Sequence, residues 1–239
     1  MIYLFDVDGT LSDSRQPIDR DFENYLIGFF SHYECSIVTG SDYSKTEEQL
    51  GPTLCNLADY SFNCSGNSVW QKGKEIYSSH WTLPDEIRDY LELELSLSGF
   101  EIRTGNHIEV RPGSVNFSIV GRNANFDERQ YYRTYDMRFS ERRRIAQQIN
   151  ERYEGVTALI GGETGIDIFE TDKDKRQVLD YFPNRTFCFF GDKTGPGGND
   201  YPLAKELNTK STNMVFQVSN WQETEKILKQ VDGREKHYA

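Results

Sequence analysis

Short apolar runs alternate with segments of helical period along most of the chain. Residues 2–5 (IYLF) form an unbroken apolar run that predicts a buried strand, and 19–31 carry apolar positions at helical spacing. A second run, CSIVTG at 35–40, predicts a strand and a glycine-containing turn. A helix over 42–51 should follow, with Asp42 as its N-cap and Gly51 as its stop. ADYSF at 58–62 predicts a third strand. Later the pattern repeats: TFCFFGD (186–192) reads as a buried strand, 201–207 as a short helix, NMVFQV (213–218) as a strand and 220–231 as a closing helix. Such alternation predicts an α/β core with a parallel sheet covered on both faces, and chemistry at the carboxyl ends of its strands.

The middle of the chain has a different period. Residues 107–122 (HIEVRPGSVNFSIVGR) alternate on either side of Pro112-Gly113, which predicts an antiparallel hairpin. One long charged helix is expected over about 126–152, followed by strands in VTALIGG (156–162) and GIDIFE (165–170). Residues 80–174 are therefore expected to form an inserted α+β cap with an antiparallel sheet, splitting the core into 1–79 and 175–239.

At 239 residues the chain is long enough for one large domain or two small ones, and its 27% charged and 13% aromatic residues are those of a globular protein. A net charge of −11 argues against a general nucleic-acid surface, though a local arginine cluster could still bind small phosphates. Cys35, Cys55, Cys64 and Cys188 have neither CxxC nor zinc spacing, so reduced thiols and a cytoplasmic location are expected. The chain enters its first strand with no basic n-region or long apolar run, so neither a signal peptide nor a membrane span is expected.

Asp6 and Asp8 stand one residue apart at the end of that strand, in FDVDGTL. Bare carboxylates so placed repel each other. A carboxylate that attacks phosphorus needs a cation to offset its charge and a second acid to protonate the leaving oxygen, and this pair offers both acids at once. Gly9 permits a tight turn and Thr10 can hydrogen-bond nearby; two solvated acids in an Asx-type turn are the bland alternative.

FDVDGTL resembles the first motif of the haloacid dehalogenase (HAD)-like superfamily, whose Rossmann-like core transfers phosphoryl groups through an aspartyl-phosphate. The resemblance implies Asp6 as nucleophile, Asp8 as general acid and base, and Mg²⁺ between them. It also implies that Thr39 or Ser41 in IVTGSD holds the phosphoryl group. Of Lys173, Lys175 and Arg176 in DKDKR, Lys175 fits the bridging lysine best, and Asp192, Asn199 and Asp200 in GDKTGPGGND match the acidic metal motif.

GSDYSKTEEQLG, GDKTGPGGND and the segment IEVRPGSVNFSIVGRNANFDER are, more narrowly, similar to the eukaryotic-type phosphomannomutases with a type IIB cap, in order from residue 2 to about 231. That likeness implies Arg111, Arg122 and Arg129 as cap ligands of a sugar phosphate, Arg15 as a further substrate ligand and Asp167 as a ligand of the sugar hydroxyls. Guanidinium groups suit the task, since they fork onto phosphate oxygens and keep their charge. The run Arg142-Arg143-Arg144 reads instead as surface charge.

The function so implied is interconversion of mannose 6-phosphate and mannose 1-phosphate, primed by a hexose 1,6-bisphosphate as activator. A Mg²⁺-dependent sugar-phosphate phosphatase, a hexose phosphomutase of broader specificity and a silent phosphosugar-binding protein are the alternatives. Hexose phosphates are the expected partners, with no nucleic acid or membrane, and the family resemblance extends to a homodimer through the cap. The chain departs from the family pattern at Gly165 (usually Ser), at Cys64-Ser65-Gly66 (usually Glu-Asn-Gly) and at Thr39 (usually Gly).

Overall fold

Apolar runs and helices assemble into two separate sheets with their covers, and the computed structural model describes residues 1–235. The first strands are β1 (Ile2–Phe5), β2 (Glu34–Val38), β3 (Ser61–Asn63), β4 (Ser68–Gln71) and β5 (Lys74–Ser78). The inserted part supplies β6 (Ile108–Arg111), β7 (Ser114–Phe117), β8 (Val156–Gly161) and β9 (Gly165–Glu170), and the chain ends with β10 (Phe187–Gly191) and β11 (Met214–Gln217). Seven helices accompany them among the described residues: α1 (Arg20–His32), α2 (Tyr43–Leu57), α3 (Asp85–Leu97), α4 (Phe126–Phe139), α5 (Glu141–Arg152), α6 (Tyr201–Leu207) and α7 (Trp221–Glu235).

The larger sheet runs β11-β10-β1-β2-β3-β4-β5, with its first five strands parallel. Successive side chains of β1 point to opposite faces, as the pleat requires. Tyr3 and Phe5 enter a core shared with α1, α2 and α7, while Ile2 and Leu4 enter another shared with α6 and a 3₁₀ turn at Lys175–Tyr181. Burying a side chain such as Phe5 contributes about 1.5–3 kcal/mol, and Phe5 also stacks on Phe190 of the neighbouring strand at 5.3 Å. The smaller sheet is antiparallel, in the order β6-β7-β9-β8, and has its own core against α3, α4 and α5. An α/β core and a second, α+β layer are thus both present, as expected. Among the described residues no helix is long and apolar enough to cross a membrane.

Several elements differ from the sequence pattern. Two antiparallel strands, β4 and β5, extend the parallel sheet, joined at Lys72-Gly73, whose positive φ values of 50° and 71° suit a tight hairpin. Helix α2 does not stop at Gly51 but kinks there, at φ 78° and ψ 154°, and restarts at Pro52. That conformation is open to glycine alone, and an added Cβ would meet Glu23 Oε1 at 3.1 Å. Gly51→Ala is expected to lower stability by about 1–3 kcal/mol in urea titration.

The single long helix expected over 126–152 is two helices, broken at Ser140 in the left-handed region (φ 53°). Asp136 fastens the break by accepting from both Arg142 N and Arg142 Nε at 2.8 Å. Arg144 pairs with the buried Glu94 on α3 at 2.6 Å, which holds that carboxyl below its ordinary range. Arg143 and Arg144 lie at the surface, as expected of the run, whereas Arg142 is largely buried, and both Arg142 and Arg144 tie neighbouring helices together.

Candidate active site

Three neighbouring strands, β10, β1 and β2, end side by side in parallel register, so the residues that follow them meet at one edge. β1 delivers Asp6, whose N–H donates to Phe190 O at 2.9 Å, and β10 delivers Asp192. After Asp6 the chain curls sharply, with the N–H groups of Thr10, Leu11 and Ser12 all donating to Val7 O. Gly9 at φ 81° makes that turn, and a Cβ on it would lie 2.8 Å from Asp192 Oδ2. The first loop and the acidic loop therefore pack directly on each other.

Lys175 closes the cluster. It is fully buried at the start of its 3₁₀ turn, and its Nζ donates at 2.6 Å to both Asp6 Oδ1 and Asp200 Oδ1. Lys173 turns its carbonyl to Asn67 Nδ2 and Gln177 Nε2, each at 3.0 Å, while Arg176 pairs with Asp172 and Asp174. Only the middle cation of DKDKR thus reaches the acids. Burial would lower the Lys175 pKa, but Asp200 and Asp6 more than offset it and raise the value. Burial followed by the charge of Asp200 pushes Asp6 up to about 8, against the pull of Lys175. Asp192 is raised too, by burial first, even though Lys193 pairs with it. The cluster holds more negative charge than its lysines offset.

Oxygens of Asp6, Asp192 and Asp200 lie within 4.8 Å of one another. Near them, lining the same cavity, Asn199 has a buried Oδ1 with no hydrogen-bond partner. Hard oxygen donors with surplus negative charge fit a small divalent cation such as Mg²⁺. Asp8 differs from the other acids: its Oδ1 accepts from Arg15 N at 2.9 Å and Gln49 Nε2 at 3.1 Å, outside that carboxylate cluster. The resemblance to the superfamily implies that Asp8 would offer a cation its backbone carbonyl. Thr39 is buried and its Oγ1 accepts from Ser41 N at 3.1 Å, so both hydroxyl residues sit at the end of β2 beside the acids.

A cavity of about 280 Å³ extends from these acids to the inner face of the smaller sheet. That face is built by register: Glu109 on β6 lies opposite Asn116 on β7, which lies opposite Asp167 on β9. Arg111 donates from NH1 to Gly40 O at 2.7 Å and from NH2 to Glu109 at 2.6 Å. Arg122 donates through Nε to the same Glu109 oxygen at 2.7 Å, and Lys45 from α2 pairs with the other oxygen. Arg129, near the start of α4, meets Glu163 at 2.5 Å and Ser14 Oγ at 3.2 Å. Arg15 donates to Arg122 O at 3.3 Å; burial and then Arg122 and Arg129 lower its pKa to about 10, which still leaves it charged at neutrality. All the arginines expected at the site, and Asp167, line this one cavity.

Lys45, Gln49, Glu109, Asn116 and Glu163 also belong to the site and were not singled out from sequence. For Glu109 and Asn116 the signal was present: alternation in IEVRPGSVNFS sets Glu109, Arg111, Ser114 and Asn116 on one face. The other three depend on which elements meet, which no local pattern reports. Two departures also acquire a physical account. A Cβ at Gly165 would lie 2.5 Å from Asn116 Nδ2, so the asparagine amide, which donates to Asp167 Oδ1 at 2.7 Å, fills space a serine would need. Cys64 and Ser65 serve through the backbone, donating to Ser41 O and Thr39 O at 2.9 and 2.8 Å.

Comparison with known proteins points one way. The sequence profile described as eukaryotic phosphomannomutase matches residues 22–232. The phosphomannomutase of Saccharomyces cerevisiae is 32% identical over 238 residues, covering 95% of this chain and 92% of the yeast protein. Among solved structures, IMP-bound N-terminally truncated IMP-nucleotidase of Plasmodium falciparum superimposes with a TM-score of 0.66 at 17% identity, over 96% of this chain and 67% of that one. A haloacid dehalogenase-like hydrolase from Bacteroides thetaiotaomicron gives 0.55 at 13% identity, over 95% and 98% of the two chains. The last two share the fold.

Proposed function

The chain belongs to the eukaryotic phosphomannomutase family, and from that premise we propose that it interconverts mannose 6-phosphate and mannose 1-phosphate through a phosphorylated Asp6. The observation that carries the proposal is one cavity whose lining joins Asp6, Asp8 and Asp192 to Arg15, Arg111, Arg122 and Arg129, reaching from the ends of β1 and β10 to the smaller sheet. Such a cavity accepts a phosphate at each pole, which is what moving a phosphoryl group between two positions of one sugar requires.

Lys175 holds Asp6 Oδ1, so Asp6 Oδ2, which accepts only a long contact of 3.4 Å from Thr10, is the oxygen free to attack phosphorus. A hexose 1,6-bisphosphate primes the enzyme by giving one phosphoryl group to that oxygen. In the forward step the phosphorus–Asp6 bond breaks as a sugar hydroxyl attacks, and Asp8 takes the hydroxyl proton. In the return step Asp6 attacks the phosphate at the other position, and Asp8 gives the proton back to the leaving sugar oxygen. Arg15 N and Gln49 hold Asp8 Oδ1 for this work, leaving Oδ2 for the proton. The arginines retain the phosphate that is not reacting, and Asp167, oriented by Asn116, faces the sugar between the poles. Mg²⁺, held by Asp6, Asp192 and the Asp8 carbonyl, would supply positive charge against the transferring group.

A coupled assay of mannose 1-phosphate with added hexose 1,6-bisphosphate tests the proposal, with inorganic phosphate measured in the same tube. Isomerisation that requires the bisphosphate and outpaces phosphate release is expected. Phosphate release alone would establish the phosphatase reading instead.

The metal assignment has its own check. Millimolar Mg²⁺ is expected to raise the melting temperature of the chelator-treated protein, because a ligand bound only to the folded state stabilises it. Asp192→Ala should lose most of that rise; an undiminished rise would remove Asp192 from the site.

A further inference from the structure

The cap end of the cavity contains a feature that the mutase reaction does not explain: one carboxylate at the centre of three cations. Glu109 Oε2 accepts from Arg111 NH2 at 2.6 Å and from Arg122 Nε at 2.7 Å, and its Oε1 pairs with Lys45 Nζ. The two arginines come from the smaller sheet and the loop after it, whereas Lys45 comes from the first turn of α2, beside the larger sheet. Among the described residues the only other carboxylate on Lys45 is Asp42, the N-cap of its own helix, at 3.0 Å.

We propose that Lys45 is a further phosphate-binding residue, delivered from the core to the cap's phosphate site, and that Glu109 holds the place of the phosphate until substrate arrives. The inference rests on the reading of Arg111 and Arg122 as phosphate ligands. Three donors closing on two oxygens from different directions is the arrangement a phosphate monoester selects, and an ammonium is a compact charge that adapts its three donors to a tetrahedral group. Arg111 has a second anchor at Gly40 O, so it keeps its place when the carboxylate leaves. Glu109 is about a fifth exposed, which gives its side chain a way out toward solvent. A phosphate dianion carries twice its charge and displaces it on that ground. Burial would raise the Glu109 carboxyl, but Arg111 and Arg122 hold it well below the usual range, so it is ionised wherever the enzyme works.

This assignment predicts opposite signs for two substitutions. Removing the competitor leaves the three cations, among the described residues, with only Asp42 beside Lys45 at 3.0 Å and Asp167 beside Arg111 at 3.7 Å, so Glu109→Gln should bind mannose 1-phosphate several-fold more tightly. Lys45→Ala should bind it about tenfold more weakly, the worth of one charge-assisted hydrogen bond, and Lys45→Arg should restore most of the loss. Calorimetric titration of the full chain in Mg²⁺, with mannose 1-phosphate and separately with inorganic phosphate, reads both effects without turnover. Weaker binding by Glu109→Gln would make Glu109 a brace for the arginines and overturn its place-holding role. Unchanged binding by Lys45→Ala, a half-exposed helix position whose replacement leaves the core intact, would overturn the role of Lys45. Neither readout depends on bisphosphate-primed isomerisation, so failure of the mutase reading would show in the assay and not here.

Discussion

Asp6→Asn is expected to reduce phosphoryl transfer to background, a loss on the order of 10⁴-fold or more, because the amide cannot form the phosphorylated intermediate. The same substitution should leave the fold intact. The amide keeps an oxygen for Lys175, and Lys175 keeps Asp200 at 2.6 Å. Its effect on stability should even be favourable when no divalent ion is supplied. Burial and Asp200 push the Asp6 carboxyl up to about 8, which says that its charge is costly where it sits. A neutral amide of the same shape removes that cost, so the metal-free variant should melt at or above the parent. Melting curves in chelator, beside the bisphosphate-dependent assay, check both halves. An inactive variant that also melts far below the parent would mean that Asp6 is needed for folding, and the loss of activity would say nothing of covalent chemistry.

Lys175→Met should produce the largest loss of stability of any substitution at the site. The lysine is wholly buried, as is Asp200, and Asp6 is nearly so. Methionine fills much of the stem's volume but leaves two carboxylates facing each other with no cation. Stranding buried charge in this way costs about 3–5 kcal/mol. That is a large part of the roughly 5–15 kcal/mol by which domains are stable. The sign of the pH dependence follows. Burial and Asp200 already raise the Asp6 carboxyl against the pull of Lys175, and without the lysine it stays above its unfolded value, so it binds its proton more tightly when folded. The resulting deficit is absent below the unfolded carboxylate pKa, near 4, and grows as pH rises from there toward the raised value. Urea titrations at pH 5 and pH 8 should therefore show the gap to the parent narrowing at the lower pH. A gap independent of pH would mean that packing, not charge, is what Lys175 supplies.

The clustering of the acids was legible in sequence because each lies in a short string whose geometry is local. Asp6 and Asp8 follow an apolar strand, and Asp192 and Asp200 bracket a glycine-rich loop after another. Parallel neighbours then align the two ends without further instruction. The hairpin that carries Arg111 was legible for the same reason. What escaped was set by contacts between distant segments. Nothing near Ser140 announces a helix break, since neither glycine nor proline stands there; the αL residue is held by Asp136 and Arg142 on either side. Helix α2 was cut short because Gly51-Pro52 is a common stop, and here the apolar face resumes beyond the kink with Leu54 and Cys55 in the core. Lys45 was not singled out, because only the meeting of α2 with β6 brings it to Glu109.

The carbonyl of Lys173, gripped by Asn67 and Gln177, has a mechanical meaning. It lies between Asp172, exposed and at a positive φ of 67°, and the deeply buried Lys175. Asn67 stands just before β4 and Gln177 within the 3₁₀ turn, so the chain returning from β9 is clamped to the larger layer two residues before Lys175. Amide exchange is expected to be fast at exposed residue 172 and slow at 177, whose N–H donates to Asp174 O at 3.1 Å. The ammonium paired with Asp6 thus sits behind a point at which the backbone is held from two sides.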